Sequence, residues 1–204
     1  DSWAVQNGMH VVNPPMIKEI SGRLLHGETV GLYSDYPVKG ELPKGVEYTA
    51  LEYGIYIGSN VEQSPFKHLL HLLPMDIVIG IGCRRGTNCS NINEAVIKVL
   101  GKLGLHMARV KKVCSVDIKN DEQGLLEYAA QHKLALEFFS AEQLNAVPGE
   151  FSDSDFVRKV TGVDNVCERS AVLGGGSGTL IGHKQAHNGV TVAVFKQDFK
   201  VVFS

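Results

Sequence analysis

Residues Asp76-Ile-Val-Ile-Gly-Ile-Gly82 are apolar at almost every position, and a strand without a polar face has to be covered on both sides. A polar loop follows. Then Ile92, Ala95, Val96, Val99, Leu100 and Leu103 fall at helical spacing between an Asn91-x-x-Glu94 cap and Gly104. A doubly covered strand feeding an amphipathic helix starts an alternating βα chain. The spacing continues it with a strand near 112–118, a helix from about 121 to 132 and a strand at Leu134 to Phe139. Short helices are predicted around 141–146, 153–160 and 165–173. The pattern then changes: Asn188-Gly189 between Thr179 to His187 and Val190 to Phe195 is a two-residue hairpin signal, and Phe199 to Phe203 adds a last strand.

Ahead of Pro74 the pattern is different. Met16, Ile17, Ile20, Leu24 and Leu25 fit a helix opened by Asn13-Pro-Pro and closed near Gly27, followed by a strand at Thr29 to Tyr33. Pro37, Gly40, Pro43 and Gly45 punctuate a loop, after which Val46 to Tyr48, Gly54 to Gly58 and His68 to Leu73 read as short strands. The expected fold class is therefore α/β. A small α+β region covers residues 1–73, and a three-layer αβα domain with a mixed sheet ending in an antiparallel hairpin covers 74–204. Gly174-Gly-Gly-Ser-Gly178 reads as a flexible connection that would also let a ligand approach the backbone.

A chain of 204 residues with 44% hydrophobic content can bury one substantial core, or one core and a small satellite. Its net charge of -2 supplies no basic field for nucleic acid. No apolar stretch approaches the roughly 20 residues that span a bilayer. Cys83, Cys89, Cys114 and Cys167 form no Cys-x-x-Cys pair and no secretory segment precedes them, so reduced thiols in a cytoplasmic protein are expected. The start at Asp1, without methionine, suggests a processed product or part of something longer.

The densest chemistry lies in Val116-Asp-Ile-Lys-Asn-Asp-Glu-Gln-Gly-Leu125, an ammonium among three carboxylates at a strand-to-helix turn. Ligand crevices of open α/β sheets form at the carboxyl ends of strands. Asp121 and Glu122 would also suit a helix N-terminus, but that reading leaves Lys119 unexplained. Gly80-Ile-Gly82-Cys-Arg-Arg-Gly86-Thr87 lies at the preceding strand end, where backbone amides with Arg84 and Arg85 suit a carboxylate-rich anion. Its glycine spacing misses the dinucleotide fingerprint by one residue, and no Lys-Ser or Lys-Thr pair makes it a phosphate loop.

Other candidates carry simpler readings. His183-x-x-x-His187 runs into the hairpin and is not expected to hold a metal, and His68 and His71 fall on opposite strand faces. His106 and His132 follow helix ends. Cys83 beside Arg84 could be a low-pKa thiol, but it has no nearby histidine to act as base. Asp164 or Asn165 caps a short helix with Glu168 in its first turn, and Lys184 is an edge-strand solubiliser or a ligand contact.

Gly80-Ile-Gly-Cys-Arg84, Ser115-Val-Asp-Ile-Lys-Asn-Asp-Glu122, Phe139-Ser-Ala-Glu-Gln-Leu144, Val160-Thr-Gly-Val-Asp-Asn-Val-Cys-Glu168 and Asn188-Gly-Val-Thr-Val-Ala193 occur in that order. Together they closely resemble the cobalamin biosynthesis protein G family, the cobalt-precorrin-5A hydrolases of the anaerobic vitamin B12 pathway. Trp3-Ala-Val5 and Ser21-Gly-Arg-Leu-Leu-His-Gly27-Glu28 resemble that family's middle region. An N-terminal domain that family members carry has no counterpart here. The resemblance implies a cobalt-bound tetrapyrrole substrate with acetate and propionate side chains, whose δ-lactone is opened by water before acetaldehyde is expelled and the ring contracts. It implies no cofactor or protein-bound metal, since cobalt arrives with the substrate. Lys119, Asp121 and Glu122 have the residue types the catalysis requires, and Gly82, Arg84, Arg85, Thr87, Ser115, Glu168 and Lys184 are expected to bind substrate. The partners expected are the tetrapyrrole, other enzymes of the pathway and a second copy of the chain, with neither nucleic acid nor membrane. The alternative is a non-catalytic tetrapyrrole-binding or channelling module.

Overall fold

The computed structural model describes residues 2–151 and 161–203, so the helix expected at 153–160 lies outside the described residues. The chain divides into two compact units, Asp1–Met75 with Phe199–Ser204, and Asp76–Asp198. The first unit contains α1 (Ser2–Gln6), β1 (Met9–Val11), α2 (Pro15–Leu25), β2 (Val30–Ser34), β3 (Val38–Lys39), β4 (Val46–Glu47), β5 (Tyr53–Ile57) and β6 (His68–Pro74). The second contains β7 (Ile77–Cys83), α3 (Cys89–Lys102), β8 (Val110–Val116), α4 (Gln123–His132), β9 (Ala135–Phe139), α5 (Ala141–Asn145), α6 (Val166–Gly175), β10 (Gly178–His187) and β11 (Val190–Gln197), and β12 (Val201–Val202) follows it.

The first unit's main sheet has the order β1-β6-β5-β2-β4, parallel except for β1. Val30, Leu32, Ile57, Leu70 and Leu72 form its core with Ile20 of α2. On the neighbouring register positions Gly31 and Gly54 stand side by side. A Cβ on either would lie within 2.5 Å of the Phe66 ring, so the glycines admit an aromatic ring flat against the strands. Trp3 stacks on Phe203 at 4.8 Å.

Phe199 to Phe203 do supply a strand, but it runs parallel to β3 of the first unit. Residues 199–203 therefore leave the 74–204 region in which the sequence reading placed them. The reason is burial: Val201 and Phe203 complete the first unit's core, and an alternating pattern does not name its partner.

The second unit is a mixed sheet of order β10-β11-β7-β8-β9. β7, β8 and β9 are parallel, and β11 and β10 are added antiparallel. Ile77, Ile79 and Ile81 pack against α3 and α4 on one face. Val78, Cys114, Val116, Ala193 and Phe195 pack against α6 on the other. This is the expected three-layer αβα arrangement, and its hairpin turns at Asn188 and Gly189, both at positive φ (47° and 81°). Two positive-φ residues in a two-residue loop match the twist of the flanking strands.

Two local expectations change. The cap of α3 is Asn88, whose side chain accepts from the Asn91 N–H at 2.8 Å, so the helix begins earlier than the Asn91 signal implied. The glycine run is not a slack connection at its start. A Cβ on Gly174 would lie 2.3 Å from Cys114 Sγ and one on Gly175 2.1 Å from Phe195, so both let α6 close onto the sheet. Gly80 does the same from the strand side, where a Cβ would meet the Cys167 carbonyl at 1.8 Å.

Candidate functional site: two strand-to-helix corners on one rim

Because β7 and β8 are parallel neighbours, the chain leaves both at the same sheet edge. The corner after β7 holds Arg84 to Asn88. The corner after β8 is a 3-10 turn, Asp117–Lys119, leading to Glu122 at the N-cap position of α4. A Cβ on Gly124 would lie 2.0 Å from the Thr87 carbonyl, so the two corners touch only because α4 has no side chain there. The antiparallel β11 brings the hairpin turn to this edge too, with Val190 opposite Cys83.

The corners are joined by charge. Arg85 pairs with Asp121 and donates its other terminal nitrogen to the Ile118 carbonyl. Beneath it, Glu122 is 4% exposed and Lys119 6% exposed. Glu122 Oε1 accepts the Gly86 N–H at 2.7 Å, and its Oε2 stands 3.4 Å from Lys119 Nζ and 3.7 Å from the Arg85 guanidinium. In the loop read from the sequence as an anion cradle, the group in contact with the Gly86 amide is the protein's own carboxylate. Lys119 has Glu122 as its one hydrogen-bond partner among the described residues, at a long distance. An ammonium carries three donors, so a buried cation is left with donors to spare.

Arg85 holds the Asp121 carboxyl below the usual carboxylate range. Cys83, at the end of β7, shows the opposite tendency: burial pushes its thiol up, against the pull of the Lys119 and Arg85 charges. It is therefore not the activated thiol that its neighbour Arg84 suggested.

The other expected residues are distributed around this cluster. Arg84 and Arg85 diverge. The Arg84 N–H donates to the Gly189 carbonyl, its side chain lies beside that hairpin turn, and it has no ion-pair partner among the described residues. Thr87 Oγ1 donates to the Arg84 carbonyl at 2.7 Å. Gly82 accepts from Thr191 Oγ1 at 3.2 Å. Ser115 is fully buried and donates to the Ile81 carbonyl at 2.7 Å, tying β8 to β7. Glu168 sits in the first turn of α6 behind an Asn165 cap. Its oxygens accept the Lys184 backbone N–H at 2.6 Å and Asn165 Nδ2 at 2.8 Å, at a register break of β10. No hydrogen bond joins Glu168 or Lys184 to the Lys119 cluster among the described residues.

His106 caps a 3-10 turn through the Ala108 N–H, and His132 bonds Asn93 across to α3. His187 lies between Glu94 and Lys98 of α3. Among the described residues no three His, Cys, Asp or Glu side chains stand close enough to hold a metal ion, and no helix is long and apolar enough to cross a membrane. Sequence reasoning missed the roles of Gly86, Ile118 and Gly124. Only Gly124 carried a signal, since a glycine in a helix's first turn costs helix propensity and asks for a packing reason.

Residues 77–195 match the sequence model described as Cobalamin synthesis G C-terminus, and residues 1–74 match the one described as Cobalamin biosynthesis central region. The cobalt-precorrin-5A hydrolase of Priestia megaterium is 36% identical over 121 residues, 59% of this chain and 32% of that protein. Its counterpart in Salmonella typhimurium is 31% identical over 140 residues, 69% of this chain and 39% of that protein. The chain thus spans about a third to two fifths of the length of these relatives. Among solved structures, CobE, a protein from the cobalamin biosynthetic pathway, aligns with a TM-score of 0.55 and 27% identity over 59% of this chain and 89% of its own. A cobalamin biosynthesis protein G homolog from Sulfolobus solfataricus shares the fold at a TM-score of 0.50, with 22% identity over 93% of this chain and 57% of its own.

Proposed function

Since the chain belongs to the cobalamin synthesis G C-terminus family, we propose that it opens the δ-lactone of cobalt-precorrin-5A and releases acetaldehyde, giving cobalt-precorrin-5B. The observation that carries this reading is the buried Lys119 ammonium, held by Glu122 at 3.4 Å beneath the Arg85–Asp121 pair.

Lactone hydrolysis needs a base for the attacking water and a cation for the oxyanion that forms on the carbonyl. In this reading Lys119 turns its spare donors to the lactone oxygen. Glu122 takes a proton from water as the acyl carbon–oxygen bond breaks, and the ring oxygen leaves as a hydroxyl on the meso carbon. Loss of that hydroxyl proton then lets the carbon–oxygen double bond of acetaldehyde form while the carbon–carbon bond to the macrocycle breaks. The electron pair stays in the conjugated macrocycle, so no cofactor of the protein's own is required. Arg85 lowers the affinity of Asp121 for a proton, so Asp121 fixes Arg85 instead. Arg84, exposed beside the hairpin turn, and Lys184 are cations suited to the acetate and propionate fringe.

The test is to mix the lactone substrate with this chain and to trap acetaldehyde as its hydrazone. Lys119→Met and Glu122→Gln, close in size to the residues they replace, should each lower the release rate at least a hundredfold. Unchanged rates in both would remove the assignment. A second reading has support of its own: CobE aligns with 59% of this chain, and the chain is a fraction of its relatives' length. It makes this region a tetrapyrrole-binding module. Acetaldehyde from the full-length Salmonella relative but none from this chain, with substrate still bound, would favour it.

A further inference from the structure

The first unit carries a cleft of about 570 Å³, lined by Tyr33, Tyr36, Tyr48, Thr49 and Pro65 among others. Its position follows from topology. β2 lies between β4 on one side and β5 on the other, all parallel, and the lining comes from the carboxyl end of β2 and from the segments that follow β4 and β5. That is the edge where open α/β sheets form ligand crevices. The volume falls within the roughly 300–1,000 Å³ typical of small-molecule sites.

Among the described residues the lining has aromatic rings and no charged side chain. Much of it is held in place before any ligand arrives. Tyr33 stacks on Tyr56 at 6.0 Å, and the Tyr56 hydroxyl donates to Asp35 at 2.7 Å while accepting the Asn60 N–H at 3.0 Å. Tyr36 meets Phe199 edge-on at 5.2 Å. Ser34 Oγ is occupied by the Tyr36 backbone. Tyr48 remains 64% exposed at the mouth. Fixed tyrosine faces in an uncharged lining suit a flat conjugated ring at a part of it that bears no charge.

We propose that this cleft receives an edge of the conjugated tetrapyrrole ring, which makes the first unit a ring-binding surface in its own right. The inference rests on the tetrapyrrole reading given above.

The probe is dicyanocobinamide, a corrinoid whose side chains are amides rather than acids, titrated calorimetrically against the whole chain. Tyr48→Ala and Tyr33→Leu should each weaken its binding roughly tenfold, and Lys18→Gln, an exposed substitution outside both the cleft and the candidate site, should leave it unchanged. The corrinoid should also shield Tyr33 and Tyr48 from nitration by tetranitromethane, a readout that needs no variant to fold. Equal affinity in both tyrosine variants without shielding overturns the proposal, as does shielding by riboflavin and not by the corrinoid. Acetaldehyde release separates the two readings: turnover that depends on Lys119 but not on Tyr48 or Tyr33 sinks the cleft and leaves the hydrolase standing.

Discussion

A single hydrogen bond, from the Gly86 amide to Glu122 Oε1, ties the loop after β7 to the N-terminus of α4. Charge at this rim is layered: an exposed pair, Arg85–Asp121, covers a buried one, Lys119–Glu122. The outer pair titrates in a defined direction. Arg85 depresses the Asp121 pKa, so the ionised pair is fully formed above the unfolded value of about 3.9 and is lost as pH falls through the lower folded value. An NMR titration of the Asp121 carboxyl should have its midpoint below about 3.9, and Arg85→Gln should move it up. Because both side chains are exposed, the substitution should barely move the melting temperature. The thiols give a second test. Burial pushes Cys114 up to about 12 and Cys167 up to about 11, and the thiolate is the reacting species. Iodoacetamide at about pH 8 should therefore spare Cys114 and Cys167 in the folded protein and label them once it is denatured; labelling of either in the native state would contradict their burial.

At the level of elements, the site depends on how closely α3 and α4 start to one another. Gly124→Ala drives a methyl group into the Thr87 carbonyl and should part the corners. We expect lower stability by about 1–3 kcal/mol and a loss of acetaldehyde release larger than stability alone explains. Full activity in a folded Gly124→Ala protein would show that the spacing does not matter. Much of this organisation could be read in the chain. The all-apolar run at Ile77 to Ile81 and the helical spacing from Ile92 to Leu103 gave the βα unit, because burial on both faces leaves a periodic trace. Parallel pairing of β7 with β8 then put Arg85 and Lys119 on one edge, as the corner reading required. What could not be read was direction. Adjacent arginines look equivalent in sequence, yet Arg84 follows the hairpin turn and Arg85 the neighbouring corner. Likewise, Glu168 looked like a ligand contact, but in the fold its oxygens satisfy an N–H left over by a break in β10. Neither outcome has a local sequence signature, since both are set by residues distant in the chain.

The whole molecule is two units through which the chain passes in the order first, second, first. Removing residues 199–204 should strip Val201 and Phe203 from the first unit's core and leave the second intact. At roughly 1.5–3 kcal/mol for each large side chain returned to water, the loss is about 3–6 kcal/mol. Trp3 is the chain's one tryptophan and stacks on Phe203 at 4.8 Å, so its emission reports the change directly. A truncated chain with unaltered tryptophan emission would show that β12 contributes little. The return of β12 to β3 also sets an order of assembly. On the ribosome, every residue of the αβα unit is translated before the strand that finishes its predecessor, so the earlier unit has to wait, with the partners of Trp3 and β3 still unmade, until its neighbour has emerged.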